Sequence, residues 1–145
     1  MRISEVLGGK GSQDVVTVRP EATVRELLAL LAEHNIGAVV VSSDGVALDG
    51  IVSERDVVRR LNEDETALDQ PVSSIMSAQV HTCERSQPVH DLMVAMTERR
   101  IRHVPVVEDG RLVGIVSIGD VVKSRMGELE FERDQLDSYV HTGQS

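Results

Sequence analysis

The stretch GIVSERDVV at residues 50–58 recurs as GIVSIGDVV at residues 114–122. The similarity extends backwards through each copy, so that Thr17 of the first copy meets Thr82 of the second, 65 positions later. One extra residue in the first copy, between its turn and Gly50, reduces the offset to 64 in the quoted stretch. Two copies are too few for a solenoid, which needs more units to bury its ends. The repeat therefore predicts two half-domains that face each other across a pseudo-two-fold axis.

Length and composition indicate that the two halves share one core. The chain has 145 residues, about one ordinary domain, and a half of roughly 65 residues would be marginal alone. Hydrophobic residues make up 41% of the chain, but aromatic residues only 1%. The interior must therefore be built from Val, Leu, Ile and Met.

Charge and cysteine content argue against several classes of protein. A formal net charge of -9 opposes a nucleic-acid-binding surface, which needs clustered Lys and Arg. The single cysteine, Cys83, excludes an internal disulfide and a cysteine-rich metal site. Because the chain has no run of about 18 apolar residues and no secretory signal pattern, we predict a cytoplasmic protein that has no membrane partner.

Catalysis is not predicted. None of the five histidines has a metal-ligand spacing to Asp, Glu or Cys, and the P-loop, Gly-x-Ser-x-Gly and dinucleotide motifs are absent from the sequence. Cys83 falls at a predicted strand position, where a small core residue is expected rather than a nucleophile. We therefore expect no catalytic residues, no metal site and no catalytic cofactor.

Each copy is predicted to fold as β-α-β-β-α, which makes the chain an α+β protein. Residues 23–26 have the capping-box pattern, and the apolar spacing that follows predicts a helix over 24–35, with a counterpart that begins near Pro88. Asp-Gly at 44–45 and at 109–110 lies between apolar runs and predicts two hairpins. The remaining predicted strands and helices are 38–41, 46–52 and 54–61 in the first copy and 104–107, 112–116 and 118–126 in the second, with short extended segments at Thr17 and Thr82.

The acidic, polar stretch that ends at Pro71 predicts a linker between the copies. Beyond the second copy, apolar residues recur near the heptad spacing of a coiled coil, so residues 127–140 are predicted to be helical and packed and residues 141–145 to be loose. The short helices have apolar faces that one chain would cover only in part, which favours a two-fold homodimer. The predicted domains are a first repeat at 1–66, a second repeat at 67–126, and a C-terminal helix and tail at 127–145.

Ser53 and Asp56 recur as Ser117 and Asp120, in each case where a buried strand turns into a helix. One interpretation is a pair of helix caps, because an N-cap Ser and a carboxylate one turn later satisfy free amides. The other is a ribonucleotide site, because a helix start offers N–H groups to phosphate and the carboxylate can accept hydrogen bonds from both ribose hydroxyls. Repetition of the motif around a common cleft favours the second interpretation, and the first stays open.

The ordered set of motifs resembles the cystathionine-β-synthase (CBS) domain in its paired form, the Bateman module. A hydrophobic strand, Gly-h-h-Ser-x-x-Asp and a helix occur in both copies, together with IRHVPVV at residues 101–107 and a Thr ahead of each first helix. The resemblance covers about residues 3–126. It implies that an adenine nucleotide or related adenosyl ligand (AMP, ADP, ATP or NAD) binds in clefts between the copies, and that the protein senses energy or redox state.

The resemblance also assigns roles by position. It places Asp56 and Asp120 at the ribose hydroxyls, the motif serines near ribose or phosphate, and the two threonines near the adenine. The first copy has Ala38 where the second has His103, so the two clefts should differ, and one is a candidate to be empty. Arg102 becomes a phosphate candidate. The residues expected around the ligand are Thr17, Gly37, Ala38, Ile51, Ser53, Asp56, Thr82, Arg102, His103, Pro105, Ile115, Ser117 and Asp120.

These observations predict a stand-alone tandem CBS module, a homodimer that binds an adenine nucleotide and transmits its occupancy to an unidentified effector protein. The alternative is a ligand-free dimerisation or protein-interaction module in which both Ser-x-x-Asp pairs are only caps. Thermal shift with AMP, ATP, NAD or S-adenosylmethionine separates the two, because a ligand at about 100 times its Kd adds roughly 2.7 kcal/mol of apparent stability.

Overall fold

The computed structural model describes residues 1–10 and 15–143, with side chains described as far as residue 140. Five helices and five strands occur in this part of the chain. The elements are α1 (Ile3–Gly8), β1 (Thr17–Val18), α2 (Val24–His34), β2 (Ala38–Val41), β3 (Gly50–Ser53), α3 (Glu54–Glu63), α4 (Val89–Arg99), β4 (His103–Glu108), β5 (Arg111–Ser117) and α5 (Ile118–Gly143), with short 3-10 turns at Ala67–Asp69 and Val72–Ser74.

The strands form one small sheet in each copy. In the first copy β1 pairs in parallel with β2, and β2 pairs antiparallel with β3. In the second copy β4 pairs antiparallel with β5. The extended segment predicted at Thr82 is reduced to a single parallel bridge between Cys83 and Val106. The α+β repeat architecture is thus confirmed, with a shorter first strand in the second copy.

Only the second Asp-Gly pair closes a tight hairpin. Asp109 and Gly110 adopt φ of 50° and 75° between β4 and β5, the left-handed geometry that such a turn requires. In the first copy β3 begins at Gly50, so the strand predicted over 46–52 is too long. The side chain of Asp44 accepts hydrogen bonds from the two amides at Val46 and Ala47, at 2.9 and 2.7 Å. This local capping competes with strand pairing and leaves a loop.

Most of the predicted helix ends agree with those in the structure. A capping box between Thr23 and Glu26 starts α2, and Pro88 is the N-cap of α4 rather than its first helical residue. Helix α5 runs without a break for 26 residues. It includes all of 127–140, but the apolar side chains there are largely exposed on this chain. The segment predicted to be loose is helical as far as residue 143, and residues 144–145 lie outside the described part.

The apolar residues form two core clusters rather than the single shared core that was expected. The first includes Leu27 and Val39 and lies between α2 and the first sheet. The second includes Leu92 and Val104 and lies between α4 and the second sheet. Both are made of aliphatic side chains, with Met96 and Cys83 in the second, as the composition predicted.

Each core is completed by a segment from outside its own helices and strands. Ile3 and Val6 of α1 are buried in the second core, whereas Val72 and Ile75, from the segment between the copies, are buried in the first. The bridges that hold these segments are Arg2 to Pro88 and Thr23 to Pro71. The two halves are therefore interleaved along the chain, while the repeat boundaries at residues 66 and 126 stay predictions.

The described residues contain neither a membrane-spanning helix nor a cluster of metal ligands. No helix among them has the length and apolar character needed to cross a membrane. Within the same residues, no group of three or more His, Cys, Asp or Glu side chains is placed to hold a metal ion.

Candidate functional site

A cavity of about 410 Å³ lies between the two copies. One wall is the end of β3 and the start of α3, and the other is the segment that joins α4 to β4. Its lining includes seven of the residues predicted around a ligand, which are Gly37, Ala38, Ile51, Ser53, Asp56, Arg102 and His103. It also includes Val52, Glu54, Arg55, Arg59, Ser77, Arg100 and Ile101. We call this cavity the first cleft.

The first Ser-x-x-Asp motif is a complete helix cap at the edge of the first cleft. The Ser53 amide donates to Oδ2 of Asp56 at 2.8 Å, and the Asp56 amide donates to Oγ of Ser53 at 3.4 Å. The Ser53 hydroxyl lies 3.0 Å from the same carboxylate oxygen. Within the described part of the chain, no hydrogen bond reaches Oδ1 of Asp56. One carboxylate oxygen thus serves the cap while the other stays available.

The start of α3 offers fewer amides than the sequence suggested. The Glu54 amide donates to the Gly37 carbonyl at 3.0 Å, and the Asp56 amide is used by Ser53. The second copy repeats the first of these bonds, from Ile118 to the Arg102 carbonyl at 2.8 Å. Of the first three amides of α3, these bonds leave only that of Arg55, so a phosphate at the first cleft would depend mainly on side-chain donors.

Four arginines supply such donors. Arg55 and Arg59 come from α3, and Arg100 and Arg102 come from the segment after α4. In residues 1–10 and 15–140, none of the four lies within salt-bridge distance of a carboxylate. Among the residues that the structure describes, only two acidic side chains share the lining. The positions that correspond in the other copy hold one cation among four residues, which are Gly119, Lys123, Asn35 and Gly37.

The glycines at 50 and 114 do not leave room for a ligand ring. A Cβ on Gly50 would meet Sδ of Met76 and the Ser77 carbonyl oxygen, both at 2.8 Å. A Cβ on Gly114 would meet Cδ2 of Leu7 at 2.9 Å. Packing of the two interleaved segments, rather than the approach of a flat ring, explains both glycines.

The second Ser-x-x-Asp motif has the same cap and an additional partner. The Ser117 amide donates to Oδ2 of Asp120 at 2.9 Å, and Lys10 donates to the same oxygen at 2.9 Å. Lys10 also donates to the Ile115 carbonyl at 2.8 Å. Burial alone would raise the pKa of Asp120, but the Ser117 amide and the Lys10 ammonium outweigh it, and the pKa is lowered. We call the surroundings of Asp120 the second cleft.

His103 connects the two clefts. Its side chain lines the first cleft, and the charges of Asp120 and Lys10 in the second cleft also affect its pKa. Burial lowers the pKa of His103 below its usual value, Asp120 opposes this, and Lys10 and Arg102 add to it. The lowered pKa keeps the imidazole neutral at pH 7.

The other predicted residues lie outside the lining of the first cleft. Thr17 pairs with Val40 in the first sheet, and Pro105 pairs with Ile115 in the second. Thr82 directly precedes the bridge at Cys83. The thiol of Cys83 is buried, which raises its pKa to about 11 and keeps it protonated at neutral pH.

Six residues of the two clefts were not predicted as site residues, which are Lys10, Glu54, Arg55, Arg59, Ser77 and Arg100. Arg100 nevertheless belongs to the densest basic run of the sequence, residues 99–103. For Arg55 and Arg59 a signal existed, because they are one helical turn apart in the helix that carries Asp56. For Lys10 no local signal existed, since it meets Asp120 across 110 positions of sequence.

Comparison with known families gives two matches along the chain. The family model for the CBS domain matches residues 4–63 and 72–127. The CBS domain-containing protein YhcV of Bacillus subtilis is 34% identical over 112 residues, which is 77% of this chain and 79% of that protein. The crystal structure of the CBS-domain containing protein ATU1752 from Agrobacterium tumefaciens is 44% identical, with a TM-score of 0.82, and covers 86% of this chain and 99% of its own.

Two similar structures contain bound ligands. The CBS domain protein PAE2072 from Pyrobaculum aerophilum, complexed with AMP, is 33% identical with a TM-score of 0.72, over 83% of this chain and 89% of that one. The CBS domain pair of protein MJ0100, in complex with 5-methylthioadenosine and S-adenosyl-L-methionine, is 26% identical with a TM-score of 0.78, over 88% and 98%. AMP and these two compounds all contain an adenosine group.

Proposed function

Because this chain belongs to the family of CBS-domain proteins, we propose that it is a regulatory module that binds an adenine nucleotide in its first cleft. The observation that carries the proposal is the composition of that cleft. One carboxylate with an available oxygen, on Asp56, shares a cavity of about 410 Å³ with four arginines that lack salt-bridge partners in the described part of the chain.

The proposed ligand contacts follow from the chemistry of these groups. Asp56 accepts hydrogen bonds from the ribose hydroxyls, which are neutral donors suited to a carboxylate. The arginines bind phosphate oxygens by charge-assisted hydrogen bonds, and Arg102 is joined in this by Arg100, which was not predicted. The ligand class is AMP, ADP, ATP or NAD, and bound AMP in a protein with 33% identity supports it.

The first test is a calorimetric titration with AMP and with adenosine. We expect AMP to bind more tightly than adenosine, because only AMP uses the arginines. Asp56→Asn should weaken AMP binding by about 1.5 to 3 kcal/mol, the size of a hydrogen bond to a charged group. A capping role alone predicts the reverse, a loss of about 1 kcal/mol of stability with unchanged affinity. A melting curve of the same variant separates these outcomes.

The proposed output is transmission of ligand occupancy to an effector protein by a homodimer. Val57 and Val121, predicted to be only partly covered, are buried in the two cores, but the neighbouring Val58 and Val122 are 66% and 51% exposed. Along α5 the exposed apolar residues continue through Met126, Leu129, Leu136 and Val140. A second copy packed on these residues would cover them, and two-fold pairing is the commonest form.

Light scattering tests the homodimer with two lengths of chain. The full chain should have the mass of a dimer at micromolar concentration. A chain that ends at Arg125 should have the mass of a monomer if the part of α5 beyond Arg125 carries the contact. A full-length monomer contradicts the proposal. A truncated dimer confines the contact to the region of Val58 and Val122.

A second candidate is a ligand-free interaction module. The observation in its favour is that both motifs form complete caps without any ligand. Under this alternative, AMP, ATP, NAD and S-adenosylmethionine leave the melting temperature unchanged, and mass spectrometry of the purified protein finds no adenosine compound. A stabilising shift with any of them supports the nucleotide module instead.

A further inference from the structure

Lys10 occupies two acceptors of the second cleft. Its ammonium group is 2.9 Å from Oδ2 of Asp120 and 2.8 Å from the Ile115 carbonyl oxygen. The side chains of Lys10 and Asp120 are only 26% and 23% exposed. Both acceptors belong to residues that the family resemblance assigns to a ligand. The chain thus places its own cation where a ligand would need hydrogen-bond acceptors.

Within residues 1–10 and 15–140, no lysine or other cation occupies the first cleft in this way. There the Ile51 carbonyl accepts a hydrogen bond from the Ser77 amide at 2.9 Å, so a backbone bridge takes the place that Lys10 takes at Ile115. Gln79 follows Lys10 by 69 positions, the same offset that relates Leu7 to Met76 in the two interleaved segments. Among the described residues, only Ser53 bonds to the carboxylate of Asp56. A lysine that occupies the acceptors of the cleft is therefore found in the second cleft and not in the described part of the first.

Lys10 competes strongly with a ribose for the carboxylate of Asp120. The contact between Lys10 and Asp120 is an ion pair as well as a hydrogen bond, so it includes a Coulomb attraction that a hydrogen bond from a ribose hydroxyl to the same carboxylate lacks. Ribose hydroxyls are neutral, so a ligand that takes Asp120 must exchange a charged donor for an uncharged one. Displacement would also leave the partly buried Lys10 ammonium without its two acceptors, the Asp120 carboxylate and the Ile115 carbonyl. The lost hydrogen bonds make the free energy of ligand binding at Asp120 less favourable.

We propose that Lys10 is an intramolecular competitor that closes the second cleft to nucleotides. The chain then binds one adenosine ligand, at Asp56, and the second cleft opens only when the Lys10 ammonium leaves Asp120. Lys10 is a specificity-determining residue in this scheme, since it decides which of two similar motifs receives the ligand. The inference rests on the proposed nucleotide function and adds the assignment of the ligand to one site.

The test is the stoichiometry of AMP binding by calorimetry. The unmodified chain should bind one AMP, and Asp56→Asn should weaken this binding about tenfold to a hundredfold without revealing another site, because the second cleft is closed. Lys10→Met should add a second site, with affinity at Asp120 raised about tenfold or more. The variant Lys10→Met with Asp56→Asn should regain one site, and Asp120→Asn added to Lys10→Met should remove the second.

Lys123→Met is the matched control, because it removes a lysine one turn after Asp120 without touching the carboxylate; it should leave one site. Lys10→Gln serves if Lys10→Met lowers the melting temperature. Two sites in the unmodified chain, unweakened AMP binding in Asp56→Asn, or one site in both Lys10 variants overturns the inference and leaves the nucleotide function standing. Absence of AMP binding in every variant overturns the proposed function and this inference with it.

Discussion

The two Ser-x-x-Asp motifs have the same local geometry in different electrostatic surroundings. Asp56 and Asp120 each accept the amide of the serine three positions earlier, at 2.8 and 2.9 Å. The first carboxylate shares its cleft with four arginines, whereas the second is paired with Lys10. The motif therefore fixes the position of the carboxylate, whereas residues outside the motif determine what the carboxylate can bind.

The largest effect is expected where α1 completes the second core. Ile3 is fully buried there, so Ile3→Ala should lower the free energy of unfolding by about 2 to 5 kcal/mol, through lost burial and a cavity. Val72→Ala at the corresponding place in the first core removes fewer carbon atoms and should have a smaller effect. Urea unfolding of both variants makes the measurement. A loss below about 1 kcal/mol for Ile3→Ala would show that the second core does not depend on α1.

A smaller effect should separate the two buried glycines. Gly50→Ala places a methyl group 2.8 Å from the Ser77 carbonyl oxygen, which is backbone that cannot move aside easily. Gly114→Ala meets the flexible end of Leu7 at 2.9 Å. We expect Gly50→Ala to destabilise the protein by about 1 to 3 kcal/mol and Gly114→Ala by less. Thermal unfolding tests the order, and equal losses would contradict it.

Exchanging one residue between the copies should weaken the preference for phosphate. Arg102→Gly gives the second copy the residue that the first has at Gly37, and it should lower AMP affinity about tenfold while changing adenosine affinity little. The salt dependence of AMP binding should fall with it, because a screened charge has been removed. Arg111→Gly, at an arginine outside the cleft, is the control. Equal losses for AMP and adenosine would assign Arg102 a structural role.

The smallest expected effect is a change in pH dependence. Because burial lowers the pKa of His103 from the usual 6.5, the unfolded chain takes up a proton first as the pH falls. Stability is therefore full above about pH 6.5 and declines as the pH falls towards the lowered pKa. His103→Ala, which installs the residue of the first copy, should flatten this decline between about pH 7.5 and pH 5.5 in urea unfolding. His81, whose pKa burial also lowers, should account for the remainder, and an unchanged slope in His103→Ala would contradict the assignment.

Much of the fold is encoded in local spacing and could be predicted. The capping box at Thr23, the second Asp-Gly turn and both Ser-x-x-Asp caps depend on residues within a few positions of one another. The antiparallel pairing of β2 and β3 was predicted, but the long loop that joins them was not, because the Asp44 side chain competes with strand pairing for the backbone. The exchange of segments between cores could not be predicted either, since α1 and residues 72–75 carry no local mark of their destination.

The candidate site divides in the same way. The motif residues that meet in the first cleft were predicted by repetition, and Arg102 by its charge beside them. Arg100 lies in the basic run at residues 99–103, two positions before Arg102, so its charge was visible in the sequence although it was not assigned to the site. Lys10 meets Asp120 across 110 positions, so periodicity and spacing give no signal for it. The sequence indicated at His103 and Ala38 that the clefts differ. The pairing of Lys10 with Asp120, which distinguishes their carboxylates, is visible only in the structure.

The crossing of α1 into the second core has a consequence for folding during synthesis. The first core needs residues only as far as Ile75, and it can close while the ribosome is still adding the second copy. Ile3 and Val6 leave the ribosome before every other core residue, yet their partners include Val116 and Val121. The apolar face of α1 therefore cannot be covered by these partners until most of the chain has been synthesised. We therefore expect α1 to dock late in folding, and because Lys10 follows α1 directly, its pair with Asp120 should form together with that docking.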